Sequence, residues 1–185
     1  AVMKARDIPN IITIFRFLLV TPVVWAMLND RFGLALLLFG VAGFSDAVDG
    51  YLAKRNNWSS RLGAIMDPLA DKLLLVCSFV TLGWLGWIPL WLVVLVILRD
   101  LVIISGALVY HYMIEQVTME PSMVSKLNTF TQILLVLAVM FSRGIQELPY
   151  LWIDVLLYSV LVTTLWSGLG YVWTWGRRAL HKPTP

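Results

Sequence analysis

An all-α integral membrane protein, with six transmembrane helices in one bundle, is the fold class that the sequence predicts. Of the 185 residues, 59% are hydrophobic and only 14% are charged, whereas soluble domains carry about 25% charged residues. The mean hydropathy is +0.81, and six apolar stretches are each long enough to cross a hydrocarbon core of about 30 Å. At this length, residues 1–185 are expected to form a single domain.

The six predicted spans follow one another with short polar breaks. We place them at about residues 10–28, 33–55, 61–83, 88–112, 122–142 and 150–175. The breaks contain residues typical of turns, namely Asn29-Asp30, Asn56-Asn57, Gly83 to Pro89, Glu120-Pro121 and Gly144 to Pro149. Pro9 and Asn10 are expected to begin the first span, and residues 2–9 are candidates for a short interfacial helix before it.

The basic residues predict that both chain ends face the cytosol. With six spans the two ends lie on one side, and that side carries Lys4, Arg6, Lys54, Arg55, Arg61, Lys126, Arg177, Arg178 and Lys182. Only Arg31 and Arg143 fall on the other side. Because loops rich in Lys and Arg stay in the cytosol, the loop after the second span is expected to face the cytosol.

Four carboxylates stand out within residues 46–71, which read DAVDGYLAKRNNWSSRLGAIMDPLAD. Asp46 and Asp49 are three residues apart near the end of the second span, and Asp67 and Asp71 are four apart near the start of the third. Either spacing puts a pair on one helix face. Since an Asp at the centre of a lipid-embedded helix costs about 2.5–3.5 kcal/mol, something must compensate these charges. Oxygen ligands suit hard divalent cations, so we predict a site for two Mg²⁺ or Mn²⁺ ions.

Small residues accompany the acids. Gly50 and Gly63 weaken a helix, which indicates that backbone or ligand approaches closely there, and Ala53 extends the small-residue face by one turn. The alternative is that the acids form structural salt bridges with Lys54, Arg55, Arg61 and Lys72. Ion pairing alone would not require small residues at these positions, so a ligand site is favoured.

At fixed spacing, this segment resembles the motif of the CDP-alcohol phosphatidyltransferase family, D-x2-D-G-x2-A-R-x8-G-x3-D-x3-D. The matching residues are Asp46, Asp49, Gly50, Ala53, Lys54, Gly63, Asp67 and Asp71. One of them departs from the motif, because Lys54 stands where the family has Arg. A lysine can still hold a phosphate as a point charge, but not in a bidentate manner. An amino-terminal Ile8-Pro9-Asn10 element and the six spans extend the resemblance along the chain.

The resemblance implies a reaction and roles for these residues. A CDP-linked lipid, normally CDP-diacylglycerol, would give its phosphatidyl group to an acceptor hydroxyl and release CMP. The four aspartates would surround the metal, and Asp71 would be the general base. A CDP pocket is expected from Asn10, Thr13, Asp49, Gly50, Ala53, Lys54 and Gly63. A homodimer in the bacterial inner membrane is also implied, and no nucleic-acid partner is expected.

The acceptor pocket is predicted at Arg99, Asp100 and Lys126. Lipid would not tolerate Arg99-Asp100 in the middle of the fourth span, so the pair must face the protein interior. Two simpler interpretations stay open, namely that the pair neutralises itself and that Lys126 only reaches towards the membrane surface. Family members that accept glycerol 3-phosphate carry a further Arg near residues 107 and 108 and a second Lys at position 128. Here these positions are Ala107, Leu108 and Asn128, which favours phosphatidylglycerol over glycerol 3-phosphate as the acceptor.

Two further alternatives concern a single residue and the class of protein. Arg16 lies one turn beyond Thr13 and is expected either to hold a lipid phosphate or to pair with an acid of the bundle. A membrane metal-ion carrier would also place acids in helices, but carrier sites usually lie near the bilayer midplane between broken helices. Membrane prenyltransferases carry their acid motifs on well-separated loops, whereas here both pairs occupy one helical hairpin.

Overall fold

The computed structural model describes residues 8–57, 61–113 and 122–180, and in this part of the chain every regular element is an α-helix. The six helices are α1 (Ile8–Leu28), α2 (Phe32–Asn56), α3 (Arg61–Trp84), α4 (Leu90–Met113), α5 (Met123–Gly144) and α6 (Tyr150–Leu180). Each begins and ends within two residues of its predicted span, except that α6 continues five residues further. The predicted interfacial segment at residues 2–9 lies almost wholly outside the described residues.

Five of the six helices are long and apolar enough to cross a membrane: α1, α2, α4, α5 and α6. The exception is α3, because any 18-residue stretch of it contains Asp67, Asp71 and Lys72. The helix that carries half of the acid cluster is therefore excluded by its charged residues, and its span stays a prediction.

By backbone proximity the chain divides into two compact units. The first comprises residues 1–87 and 136–148, and the second comprises residues 88–135 and 149–185, so the division passes through α5. In the first unit α1 packs against both α2 and α3, and in the second α4 packs against α6.

The core of the first unit is built from one buried stripe on each of three helices. On α1 the stripe includes Val23, Ala26 and Met27, which are fully buried. On α2 it runs through Phe32, Ala35, Phe39 and Ala42, and on α3 through Leu74, Leu75, Phe79 and Leu82. Spacings of three and four residues keep each stripe on one helix face. The opposite faces expose side chains such as Leu18, Leu37 and Phe44, as expected for helices in contact with lipid.

The start of α2 and the end of α5 approach closely at Gly33 and Gly144. A Cβ placed on Gly144 would lie 2.8 Å from the Cα of Gly33, so only glycine fits at position 144. Beside this contact the Arg143 guanidinium lies 3.2 Å from the ring centroid of Trp87, and Trp87 meets Phe32 edge to face. This end of the first unit is held by backbone contact and aromatic packing.

Candidate functional site

The acids of α2 and α3 lie on the same faces as the apolar stripes. On α2 the run Phe32, Ala35, Phe39, Ala42 continues to Asp46 and Asp49, so the face that packs against α1 ends in carboxylates. The α3 stripe extends backwards from Leu74 through Asp71 and Asp67 in the same way. The packing of the hydrophobic residues therefore fixes the direction in which the acids point.

The first helix meets these acids with Thr13 and Arg16, both of which are buried. Thr13 and Arg16 lie on the same face of α1 as the buried residues Val20 and Val23, at spacings of three and four residues. The acids of α2 and α3 thus come together around side chains of α1. From the sequence, Thr13 was expected in the CDP pocket, and pairing with an acid was one of two roles left open for Arg16.

Arg16 contacts all four carboxylates. Its Nη1 lies 2.7 Å from Asp46 Oδ1 and 2.5 Å from Asp71 Oδ1. Its Nη2 lies 2.9 Å from Asp67 Oδ1 and 3.3 Å from Asp49 Oδ2. Each amino group of the guanidinium therefore pairs with one acid from α2 and one from α3. Of the two roles left open for Arg16, the structure supports pairing with acids.

The cluster is buried on one side and open on the other. Asp49 is buried, and its Oδ1 has no hydrogen-bond partner among the described residues, while the side chain of Asp71 is 49% exposed and that of Asp46 is 44% exposed. Thr13 donates its hydroxyl hydrogen towards Asp67 and Asp49. A ligand that enters from the open side would therefore reach Asp71 and Asp46 before Asp49.

The four carboxylates do not form a ready-made shell of metal ligands within the described part of the chain, and Arg16 lies among them. Their chemistry nevertheless fits a hard divalent cation, since every donor is a carboxylate oxygen. Each acid gives Arg16 only one of its two oxygens, and the buried Oδ1 of Asp49 needs a partner. The residues that would hold Mg²⁺ or Mn²⁺ are therefore Asp46, Asp49, Asp67 and Asp71.

The predicted CDP pocket is only partly described. Gly50 is exposed, and a Cβ placed there would meet nothing within 4 Å, so helix packing does not require glycine at this position and the space beside it is open. Ala53 is half-buried, Lys54 is exposed and Asn10 is half-buried near the start of α1. Gly63 lies in the first turn of α3, outside the residues whose side-chain surroundings are described.

The second unit contains a separate polar cluster around Arg99, which is buried together with Asp100. The Arg99 Nη1 lies 2.9 Å from Asp100 Oδ1, and Nη2 donates to the hydroxyls of Ser125 and Ser167, each at 2.6 Å. The prediction that this pair faces the protein interior is confirmed. Lys126, the third predicted acceptor residue, is exposed.

Buried amides and hydroxyls extend this cluster along α5 and α6. Asn128 Oδ1 accepts hydrogen bonds from Thr163 and Thr164 at 3.0 and 2.9 Å, and Thr131 lies 3.1 Å from Thr163. Sequence reasoning considered Asn128 only as the position where a second Lys is missing, and it did not identify the threonines, Ser125 or Ser167 as site candidates. The available signal was the helical spacing of polar residues within otherwise apolar α5 and α6.

A helical, largely apolar chain whose acids converge on one open cluster has the features of an all-α membrane protein with an acidic site. The sequence matches the CDP-alcohol phosphatidyltransferase family over residues 6–166, and the chain belongs to that family.

The named relatives divide between two activities. The chain is 28% identical to a CMP-forming cardiolipin synthase of Rattus norvegicus, over 94% of this chain and 63% of the relative. It is 36% identical to one of Streptomyces coelicolor, over 58% of this chain and 54% of the relative. It is 27% identical to a CDP-diacylglycerol–glycerol-3-phosphate 3-phosphatidyltransferase of Blochmanniella floridana, over 91% and 90%. The chain thus spans less than two thirds of the length of the two cardiolipin synthases.

Proposed function

We propose that this protein transfers a phosphatidyl group from CDP-diacylglycerol to a hydroxyl of a glycerol-type acceptor and releases CMP. The observation that carries the proposal is the convergence of Asp46, Asp49, Asp67 and Asp71 in one cluster with an open side. Family membership supports the reaction class. When bound, Mg²⁺ or Mn²⁺ would neutralise the diphosphate and the departing CMP.

The transfer needs one proton acceptor and one leaving group. The acceptor oxygen forms a bond to the phosphorus of the phosphatidyl group, and the bond from that phosphorus to the oxygen of CMP breaks, so that CMP leaves with the electron pair. Asp71 takes the proton of the acceptor hydroxyl. Its partly exposed side chain supports this role, because a base must come within hydrogen-bond reach of the incoming hydroxyl, and its Oδ1 alone is engaged by Arg16.

For the acceptor, we infer phosphatidylglycerol rather than glycerol 3-phosphate. Arg99 is already paired with Asp100, and its other described partners are the neutral hydroxyls of Ser125 and Ser167. A cluster with so little net positive charge suits a phosphodiester, which carries one negative charge, better than a dianionic phosphate monoester. If both substrates are lipids, the acceptor must enter from the bilayer.

The proposal also includes the orientation and the assembly of the protein. The excess of Lys and Arg around the carboxyl end of α2 supports a cytosolic position for the acid cluster. A homodimer in the bacterial inner membrane stays a prediction.

The deciding experiment measures CMP release by purified protein in detergent or liposomes, with CDP-diacylglycerol and Mg²⁺. Phosphatidylglycerol and glycerol 3-phosphate are offered separately. We expect release with phosphatidylglycerol. CMP release with glycerol 3-phosphate but not with phosphatidylglycerol would contradict the acceptor assignment. No CMP release with any glycerol-type acceptor would contradict the proposed transfer.

Asp67→Asn tests the metal part of the proposal. It should nearly abolish CMP release and weaken the dependence on Mg²⁺, because Asp67 is one of the carboxylates that would hold the metal. The matched control is Asp154→Asn, which makes the same change at an exposed position in α6. Near-normal activity of Asp67→Asn would contradict the metal assignment.

A further inference from the structure

Arg16 is one of the largest fully buried side chains of the described protein, and its charge lies among four opposite charges. The guanidinium stays protonated at any ordinary pH, so it is a fixed positive charge. Its two amino groups bridge α2 to α3 twice, once through Asp46 and Asp71 and once through Asp49 and Asp67. A divalent cation held by the same acids would make the same bridges.

The four carboxylates would repel one another without a cation between them. At an effective dielectric constant of 20, two like charges 4 Å apart cost about 4 kcal/mol. One guanidinium offsets part of this repulsion but leaves a net charge of about three negative charges by formal count, with Arg16 positive and four Asp negative. Arg16 therefore compensates the cluster incompletely.

We propose that Arg16 is an internal counter-cation, which holds the four aspartates together when no divalent cation is bound and competes with that cation for them. This inference rests on the metal site of the proposed function. Two consequences follow. The metal-free protein keeps α1, α2 and α3 together, and metal binding is weaker than the four carboxylates alone would make it.

Geometry supports competition for the same four carboxylates. The nitrogens of Arg16 lie 2.5–3.3 Å from the four oxygens, whereas Mg²⁺ requires oxygen ligands at about 2.0–2.1 Å. A cation that bridges the two helices must draw the oxygens closer than the guanidinium allows. The buried Asp49 Oδ1 and Arg16 Nε both lack a hydrogen-bond partner among the described residues, so the arrangement around Arg16 leaves bonding capacity unused.

The test measures Mn²⁺ binding without any substrate, by electron paramagnetic resonance of the free ion, together with thermal unfolding in EDTA and in Mn²⁺. The variants are Arg16→Met, which removes the charge, and Arg16→Lys, which keeps a charge but has one nitrogen for the four acids. The control is Arg31→Met, the same change at an exposed arginine that is not near the acids in the sequence.

Arg16→Met should bind Mn²⁺ at least about tenfold more tightly than the unaltered protein, because a competing positive charge is gone. It should also unfold at a lower temperature than the unaltered protein in EDTA, and Mn²⁺ should raise its unfolding temperature by more. Arg16→Lys should fall between the two proteins, and Arg31→Met should match the unaltered one. If Arg16→Met folds only with Mn²⁺, this result supports the role of Arg16 in holding the four aspartates together. Mn²⁺ binding by Arg16→Lys then tests whether Arg16 competes with the cation.

Equal or weaker Mn²⁺ binding by Arg16→Met, or by Arg16→Lys where Arg16→Met does not fold, would overturn the inference. If the unaltered protein releases CMP in a metal-dependent way while the Arg16 variants bind Mn²⁺ as it does, only the inference fails. If the unaltered protein binds no Mn²⁺, the metal site of the proposed function fails and the inference fails with it.

Discussion

Arg99→Met, alone and combined with Asp100→Leu, separates a structural ion pair from an acceptor pocket. Both side chains are less than 10% exposed. Removing one partner of a buried ion pair costs about 3–5 kcal/mol, because the remaining charge loses its compensation. The single variant should therefore lower the free energy of unfolding by about that amount. For a chain of 150–250 residues, 1 kcal/mol shifts the unfolding temperature by about 2–4 °C, so the expected loss is roughly 6–20 °C.

The double variant should recover most of this stability, because replacing both charges with apolar side chains is often neutral. With stability restored, function can be measured. If the pair belongs to the acceptor pocket, the double variant still binds CDP-diacylglycerol but releases CMP only at much higher acceptor concentration. Unchanged acceptor dependence would assign the pair a structural role and refute its place in the pocket. Arg31→Met is the control at an exposed site, where only the contact of the guanidinium with the Trp25 ring is lost, and it should change stability by no more than about 1 kcal/mol.

Three other changes, the last with a matched control variant, test separate parts of the molecule. Asp71→Asn should keep CDP-diacylglycerol binding, measured by equilibrium binding of labelled substrate, while CMP release stops; lost binding would argue against a role as base. Lys54→Arg should retain or raise CMP release if this residue holds a phosphate, whereas an unfolded variant would point to a packing role. Gly144→Ala should lower the free energy of unfolding by about 1–3 kcal/mol through overpacking, because the new Cβ meets the backbone of Gly33. Gly170→Ala, where the added Cβ meets nothing within 4 Å, should instead stabilise α6 by about 0.5–1 kcal/mol, and equal effects of the two would contradict the packing.

The sequence predicted the helices well because each apolar stretch is long and ends at strong turn residues. Asn57 illustrates this, since it ends α2 in the left-handed conformation with φ 52°, which Asn adopts more readily than most residues. The acid pairs were predictable for a similar reason, because spacings of three and four residues define a helix face without knowledge of the partner helix.

The role of the first helix in the cluster was not predictable to the same degree. Local spacing shows which residues share a face of α1, but it does not show which other helices that face meets. Arg16 could therefore be assigned to a lipid phosphate or to an acid with equal justification, and Thr13 was assigned only to the CDP pocket. The contacts of Asn128 with Thr163 and Thr164 were not predicted because single polar residues in apolar helices are common, and only packing brings these three together.

The continuity between packing stripe and acid cluster links the fold of the first unit to its chemistry. Phe39 and Ala42 are buried on the same face of α2 that presents Asp46 and Asp49, and a helix is stiff over these two turns. A change in the apolar packing therefore alters the positions of the carboxylates. Arg16 forms ion pairs with acids from both α2 and α3. A small displacement of either helix therefore changes the distances between Arg16 and the acids. The geometry of the proposed metal site is thus set jointly by three helices.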